Sequence, residues 1–227
     1  MNNTIPNKSP SPLWLPRRFQ ASDHASNIVD DCPYSREQLT ALIALQHIEA
    51  LGPVSLSLLL AKAGSIEALI DGAIDPMEVT GLRAPCRQEL QRFLRNPRGV
   101  QQWQLAEKSL EWLVQTGCHI LVRDDPRFPP LLKELPDCPQ LIYLAGQINS
   151  FESVSISIVG TRKPSAGAVQ FTEHLAAELA EAGLLITSGM ASGIDAAAHR
   201  GSLKAGGKTA AVWAAGLDVV YPKENLS

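Results

Sequence analysis

V-S-I-S-I-V-G-T-R-K-P-S-A-G (residues 154–167) and L-L-I-T-S-G-M-A-S-G-I-D (residues 184–195) follow one pattern: an apolar run breaks into a glycine loop that opens a helix. Between them, A-V-Q-F-T-E-H-L-A-A-E-L-A-E-A-G has helical spacing. It predicts an inward face of Phe171, Leu175, Leu179 and Ala182, with Gly183 ending the helix. A second helix is expected from Ile194 to about Lys204. T-A-A-V-W-A-A then reads as a third, buried strand containing Trp213, and L-D-V-V-Y-P as a last apolar piece. Alternating strand and helix imply a parallel, Rossmann-like sheet of the α/β class. Such a sheet brings its βα loops together at the carboxyl edge, where ligands bind.

The loops narrow the ligand. Gly160 is followed by T-R-K-P-S, so the G-x-G-x-x-G dinucleotide fingerprint is absent. Gly206-Gly207-Lys208-Thr209 lacks the upstream glycine of a P-loop and opens a strand, leaving Lys208 a solvated charge at the opposite edge. An anion site remains. Helix N-termini after Gly167 and Gly193 are expected to offer N–H groups, and Arg162 to make a bidentate phosphate contact, with Lys223 reaching the same edge. Ser188 and Thr187 have two open roles, phosphate donor or turn support. Asp195 and His199, four apart on a helix, are either an acid/base pair or supports, Asp195 for its own first turn and His199 for the loop. With no nucleophile or metal ligand alongside, support is expected.

Outward from this segment, composition sets bounds. A net charge of −3 and 45% apolar residues describe an ordinary globular chain and argue against a polybasic one. Four dispersed cysteines without a C-x-x-C pair argue against zinc or dithiol chemistry, and no apolar run suits a membrane span or a signal peptide. A cytoplasmic protein without cofactor or metal is expected. Residues 1–33, rich in Asn, Ser, Pro and Asp, read as a disordered arm. Residues 34–99 read as a small helical domain, starting at a Ser35/Gln38 capping box and holding a helix–hairpin–helix-like break at Gly52-Pro53. Residues 100–150 form a connecting segment: a helix with Trp103, Ala106, Leu110 and Leu113 inward and Gly117 as its cap, then short strands at C-H-I-L-V and L-I-Y-L-A-G. Asp124 and Asp125 mark a turn between those strands. Residues 151–227 hold the Rossmann-like unit.

I-V-G-T-R-K-P-S-A-G, I-T-S-G-M-A-S-G-I-D-A-A-A-H-R-G-S-L, G-G-K-T-A-A-V and G-L-D-V-V-Y-P-K-E-N, in this order, resemble the DNA-processing protein A family (DprA, or Smf). Weaker likeness extends upstream through L-G-P-V-S and D-P-R-F-P-P-L-L. The resemblance implies a helical SAM-like domain before a Rossmann-like fold. It also implies a non-enzymatic role: single-stranded DNA binding in DNA uptake and natural transformation, protecting incoming DNA and helping to load RecA. The binding residues it implies are Gly160, Thr161 and Arg162, then Gly167, then Ser188, Gly189 and Gly193, and finally Lys223. Family members form homodimers. Their Rossmann domain runs on past the equivalent of Asn225, so this chain is expected to carry its first half, without the dimer surface. Two alternatives are a nucleotide-processing hydrolase of the lysine-decarboxylase-like group, whose P-G-G-x-G-T loop is absent, and a protein-interaction module built on the N-terminal helices.

Overall fold

Ser35 sets where the first helix begins. In the computed structural model, which describes residues 32–212 and 215–219, its hydroxyl accepts from the Gln38 N–H while the Gln38 side chain accepts from the Ser35 N–H. This reciprocal cap starts α1 (Arg36–Gln46), buried continuously from Leu39 to Leu45. After the Gly52-Pro53 break, α2 (Pro53–Ala63) buries Leu56 and Leu59, with Pro53 at a first-turn position that needs no N–H. The short α3 (Ile66–Ile70) is capped by Ser65. α4 (Ala84–Arg95) buries Cys86, Leu90 and Phe93. α5 (Gln101–Thr116) buries the expected Trp103, Ala106, Leu110 and Leu113, packs on α1 and closes at Gly117 with φ 68°. β1 (His119–Val122) then pairs antiparallel with β2 (Leu141–Leu144), His119 opposite Leu144. Between them lies the one-turn α6 (Pro130–Lys133).

The Asp124-Asp125 turn does more than reverse the chain. The buried Asp125 carboxylate accepts from the Arg127 backbone N–H at 2.8 Å and from Arg127 Nε at 3.0 Å and Nη2 at 2.7 Å. That fork holds the Asp125 carboxyl below the usual carboxylate range. Asp124 accepts from the Tyr34 hydroxyl at 2.7 Å. Burial and this acceptor push the Tyr34 phenol well above its ordinary value.

The chain divides between Gly146 and Gln147 into two compact units. The second contains β3 (Ser155–Ser157), α7 (Ala166–Glu181), β4 (Leu185–Ser188), α8 (Ile194–Lys204) and β5 (Thr209–Ala211). The strands are parallel in the order β3-β4-β5, with Ser157, Thr187 and Ala210 in one cross-strand row. Ala176 and Ala180 of α7 and Ala198 of α8 pack with Ile186 of β4, so both helices cover one face, as successive right-handed crossovers require. This is an α/β fold with a Rossmann-like parallel sheet.

Two expectations are corrected here. The inward face of α7 is Thr172, Ala176 and Ala180; Phe171 is 67% exposed and Ala182 is exposed. The reason is the closeness of α8. A Cβ on Gly201 would stand 2.2 Å from the Glu173 carbonyl oxygen and 2.9 Å from Ala176 Cβ, so the seam admits only small residues. Larger apolar side chains are displaced to its margin, where Leu179 still packs on the core. The third strand is half-buried, and Val212 beyond it is 64% exposed. Trp213, Tyr221, Lys223 and residues 1–31 of the N-terminal arm lie outside the described residues. Among those described, no helix is long and apolar enough to cross a membrane.

Candidate functional site

The carboxyl edge of the sheet carries both glycine loops, held as one piece by the start of α8. Asp195 is 6% exposed. Its Oδ2 accepts from the Gly189 N–H at 3.1 Å and the Ala191 N–H at 3.4 Å, and its Oδ1 accepts from the Gly160 N–H at 3.4 Å. Successive N–H groups converging on an anion form a nest, and in the second loop the anion is the protein's own carboxylate. Met190, between two of the donors, takes the left-handed φ of 61° that this convergence demands. Gly193 caps α8 at φ 87°, and any Cβ there would lie 2.4 Å from the Thr161 carbonyl oxygen. The Ile194 N–H donates to that same oxygen at 3.2 Å. A Cβ on Gly160 would meet the Ile194 side chain at 2.8 Å.

This arrangement corrects the expected first-turn role of Asp195. Its partners are the two loops, one of them 35 residues away in sequence. The N-terminus of α8 is therefore occupied: the Ile194 N–H meets Thr161, and the Asp195 charge sits at the positive end of the helix dipole. The N–H groups of Gly160 and Gly189 are committed to Asp195 as well. Ser188 is buried, and its hydroxyl donates to the Ile158 carbonyl at 2.6 Å, which gives it the supporting role of the two left open.

What faces solvent is the first loop. Thr161, Arg162 and Lys163 are all exposed, and the Thr161 hydroxyl accepts from the Lys163 N–H at 3.2 Å, which tightens the turn. Among the described residues no carboxylate pairs with Arg162 or Lys163. Two residues on, Ser165 caps α7 by accepting from the Ala168 N–H. The N–H groups of Ala166 and Gly167 meet no acceptor among the described residues, and the space around Gly167 is open. Two unpaired cations thus border the open, positive end of a 16-residue helix. Lys163 was not singled out from sequence, although its adjacency to Arg162 was a sufficient signal.

His199 serves neither an acid/base pair nor the loop. Its Nδ1 lies 2.6 Å from Thr209 Oγ1, and that hydroxyl donates to the Ile186 carbonyl at 2.7 Å. The hydroxyl proton being committed, Nδ1 carries the imidazole proton, and the buried Nε2 has no partner. Burial pushes the His199 pKa down, while Asp195 pulls it partly back. On α7, Glu173 accepts from Lys204 Nζ at 2.6 Å and Arg200 Nε at 2.9 Å, a clasp between α7 and α8 that lowers its own pKa.

These features define an α/β protein with an exposed cationic loop at the edge of a Rossmann-like sheet. Residues 119–227 match the family model described as DNA recombination-mediator protein A, which places that part of the chain in the DNA-processing protein A (DprA/Smf) family. It is 39% identical over 120 residues to Protein Smf of Synechocystis, covering 51% of this chain and 30% of that protein. It is 32% identical over 165 residues to Protein Smf of Escherichia coli, covering 73% and 40%. A solved structure of DNA processing protein A from Streptococcus pneumoniae aligns with TM-score 0.48 and 25% identity, covering 76% of this chain and 61% of that one. The chain spans 30% to 40% of the length of the curated relatives it matches.

Proposed function

We propose that the chain binds single-stranded DNA through its backbone, as part of a recombination mediator. The observation that carries this reading is the exposed Arg162-Lys163 pair beside the open N-terminus of α7. A guanidinium, an ammonium and two unclaimed N–H groups suit phosphate oxygens, the part of a strand common to every sequence. The family's description as a DNA recombination mediator supports the same ligand. Gly160, Gly189, Gly193 and Ser188 then act by shaping and fixing the loop, while Thr161, Arg162 and Gly167 form the contact surface and Lys223 adds charge. Within that role the protein works in the cytoplasm, shields incoming strands and hands them to RecA. No chemical step is required of it.

Arg162→Ala should weaken binding to all single-stranded sequences about equally and lower the salt slope by roughly 0.7. Unchanged affinity and slope in a correctly folded variant would overturn the assignment. Release of free base from nucleoside monophosphates, abolished by the same substitution, would replace it with the hydrolase reading.

A further inference from the structure

The first unit has a second cationic surface. Between residues 35 and 99 its seven Lys/Arg and seven Asp/Glu are unevenly placed. Residues 83–98 contain five arginines (Arg83, Arg87, Arg92, Arg95 and Arg98) and one acid, Glu89, whereas six acids fall between Glu37 and Glu78. On α4 the buried stripe of Cys86, Leu90 and Phe93 fixes the opposite face. Helical spacing then sets Arg87, Gln91 and Arg95 in one row and Gln88 and Arg92 in the row beside it, neighbours in a row rising about 6 Å. Gln88, Arg92 and Arg95 are exposed, and Arg87 and Gln91 half-buried.

α4 itself places no acid on that face. Glu89 points away and is occupied by the Glu49 N–H and the Gln102 side chain. Arg98, beyond the helix, pairs with Glu37, and Asp71 shares a cleft with Arg95. Arg83, Arg87, Arg92 and Arg95 have no carboxylate partner among the described residues. The Nε of Arg87 is buried without any hydrogen-bond partner. The helix dipole accounts for cations in the last turn, at Arg92 and Arg95, but not for Arg87 in the first.

We infer that the outer face of α4 binds a nucleic-acid backbone, a second contact independent of the Arg162 loop. Its donors are guanidinium and amide groups only. Neither row holds an aromatic or aliphatic anchor of the kind that dominates protein interfaces, so phosphodiester is the ligand this chemistry fits.

The test uses the intact chain and a 30-nucleotide single strand over a salt series. The double variant Arg92→Gln/Arg95→Gln keeps good helix formers at exposed positions. It should lower the salt slope by about 1.4 and leave the circular dichroism spectrum unchanged. Arg36→Gln/Lys62→Gln, which removes the same charge off this face, should leave the slope as it is. Adding Arg87→Gln to the first pair should lower it by a further 0.7 or so. Equal slopes for wild type and the α4 variant, equal losses in both double variants, or no DNA binding by the intact chain would each overturn the proposal. So would an α4 variant that loses poly-glutamate binding while its DNA slope is unchanged, which would assign the face to an acidic protein. Arg162→Ala run in parallel separates the two surfaces: a slope lost there and kept in the α4 variants leaves only the loop.

Discussion

Gly193 and Thr161 touch backbone to backbone. A single methyl on Gly193 would stand 2.4 Å from the Thr161 carbonyl oxygen, and the φ of 87° excludes most other residues in any case. Gly193→Ala should therefore cost about 2–3 kcal/mol and part the two loops. Thermal unfolding would read the first effect. Faster amide exchange at Ile194, whose N–H meets that carbonyl, would read the second.

Asp195 holds three N–H groups from two loops. Asp195→Ala leaves these donors without an acceptor and should destabilise the unit by about 2–4 kcal/mol. Asp195→Asn keeps one carbonyl oxygen and should lose less. If the carboxylate serves only to shape the loops, Asp195→Asn will retain DNA binding while Asp195→Ala loses it. Stronger DNA binding by Asp195→Ala would mean instead that the carboxylate competes with phosphate for the nest.

Ser165 caps the helix whose N-terminus faces the Arg162 loop. Ser165→Ala should cost about 1 kcal/mol, since the Ala168 N–H loses its acceptor. Ser165→Asp should recover the cap but place a negative charge at the proposed phosphate contact. The two variants should therefore rank in opposite order in stability and in DNA affinity, measured by melting and by fluorescence anisotropy.

His199 is buried and neutral, with its folded pKa below the unfolded value. Below about pH 6.5 the unfolded chain takes up a proton at this side chain that the folded one resists, so stability falls as pH drops through that range. Asp125 behaves as the usual carboxylate: its folded pKa is depressed by Arg127, so its contribution stands above about pH 4 and is lost as pH falls further. Unfolding midpoints at pH 7.5 and 5.5 should differ in wild type and converge in His199→Gln. Arg127→Ala should alter stability at both.

Sequence made local features legible and missed those decided by distant contacts. The capping box at Ser35, the stripe of α5 and its glycine cap follow from spacing within one helix, and the structure repeats them. Phe171 misled because hydrophobicity alone ranks it inward. Which face of α7 is buried depends on Gly201, thirty residues on, and on a helix approach too close for an aromatic ring. Asp195 was visible as a polar residue in a helix's first turn, but nothing local announces a partner at Gly160. The glycines themselves were read as anion receivers. Gly193 and Gly160 are glycine because another part of the chain passes through the volume a side chain would fill.

The seam between α7 and α8 carries a consequence for the two loops at their N-termini. With Gly201 against the Glu173 backbone, Gly207 against Ala180 and Glu173 clasping Arg200 and Lys204, neither helix can slide or roll without collision. Each helix begins where one glycine loop ends, so the interval between the loops works as a fixed gauge set several turns away.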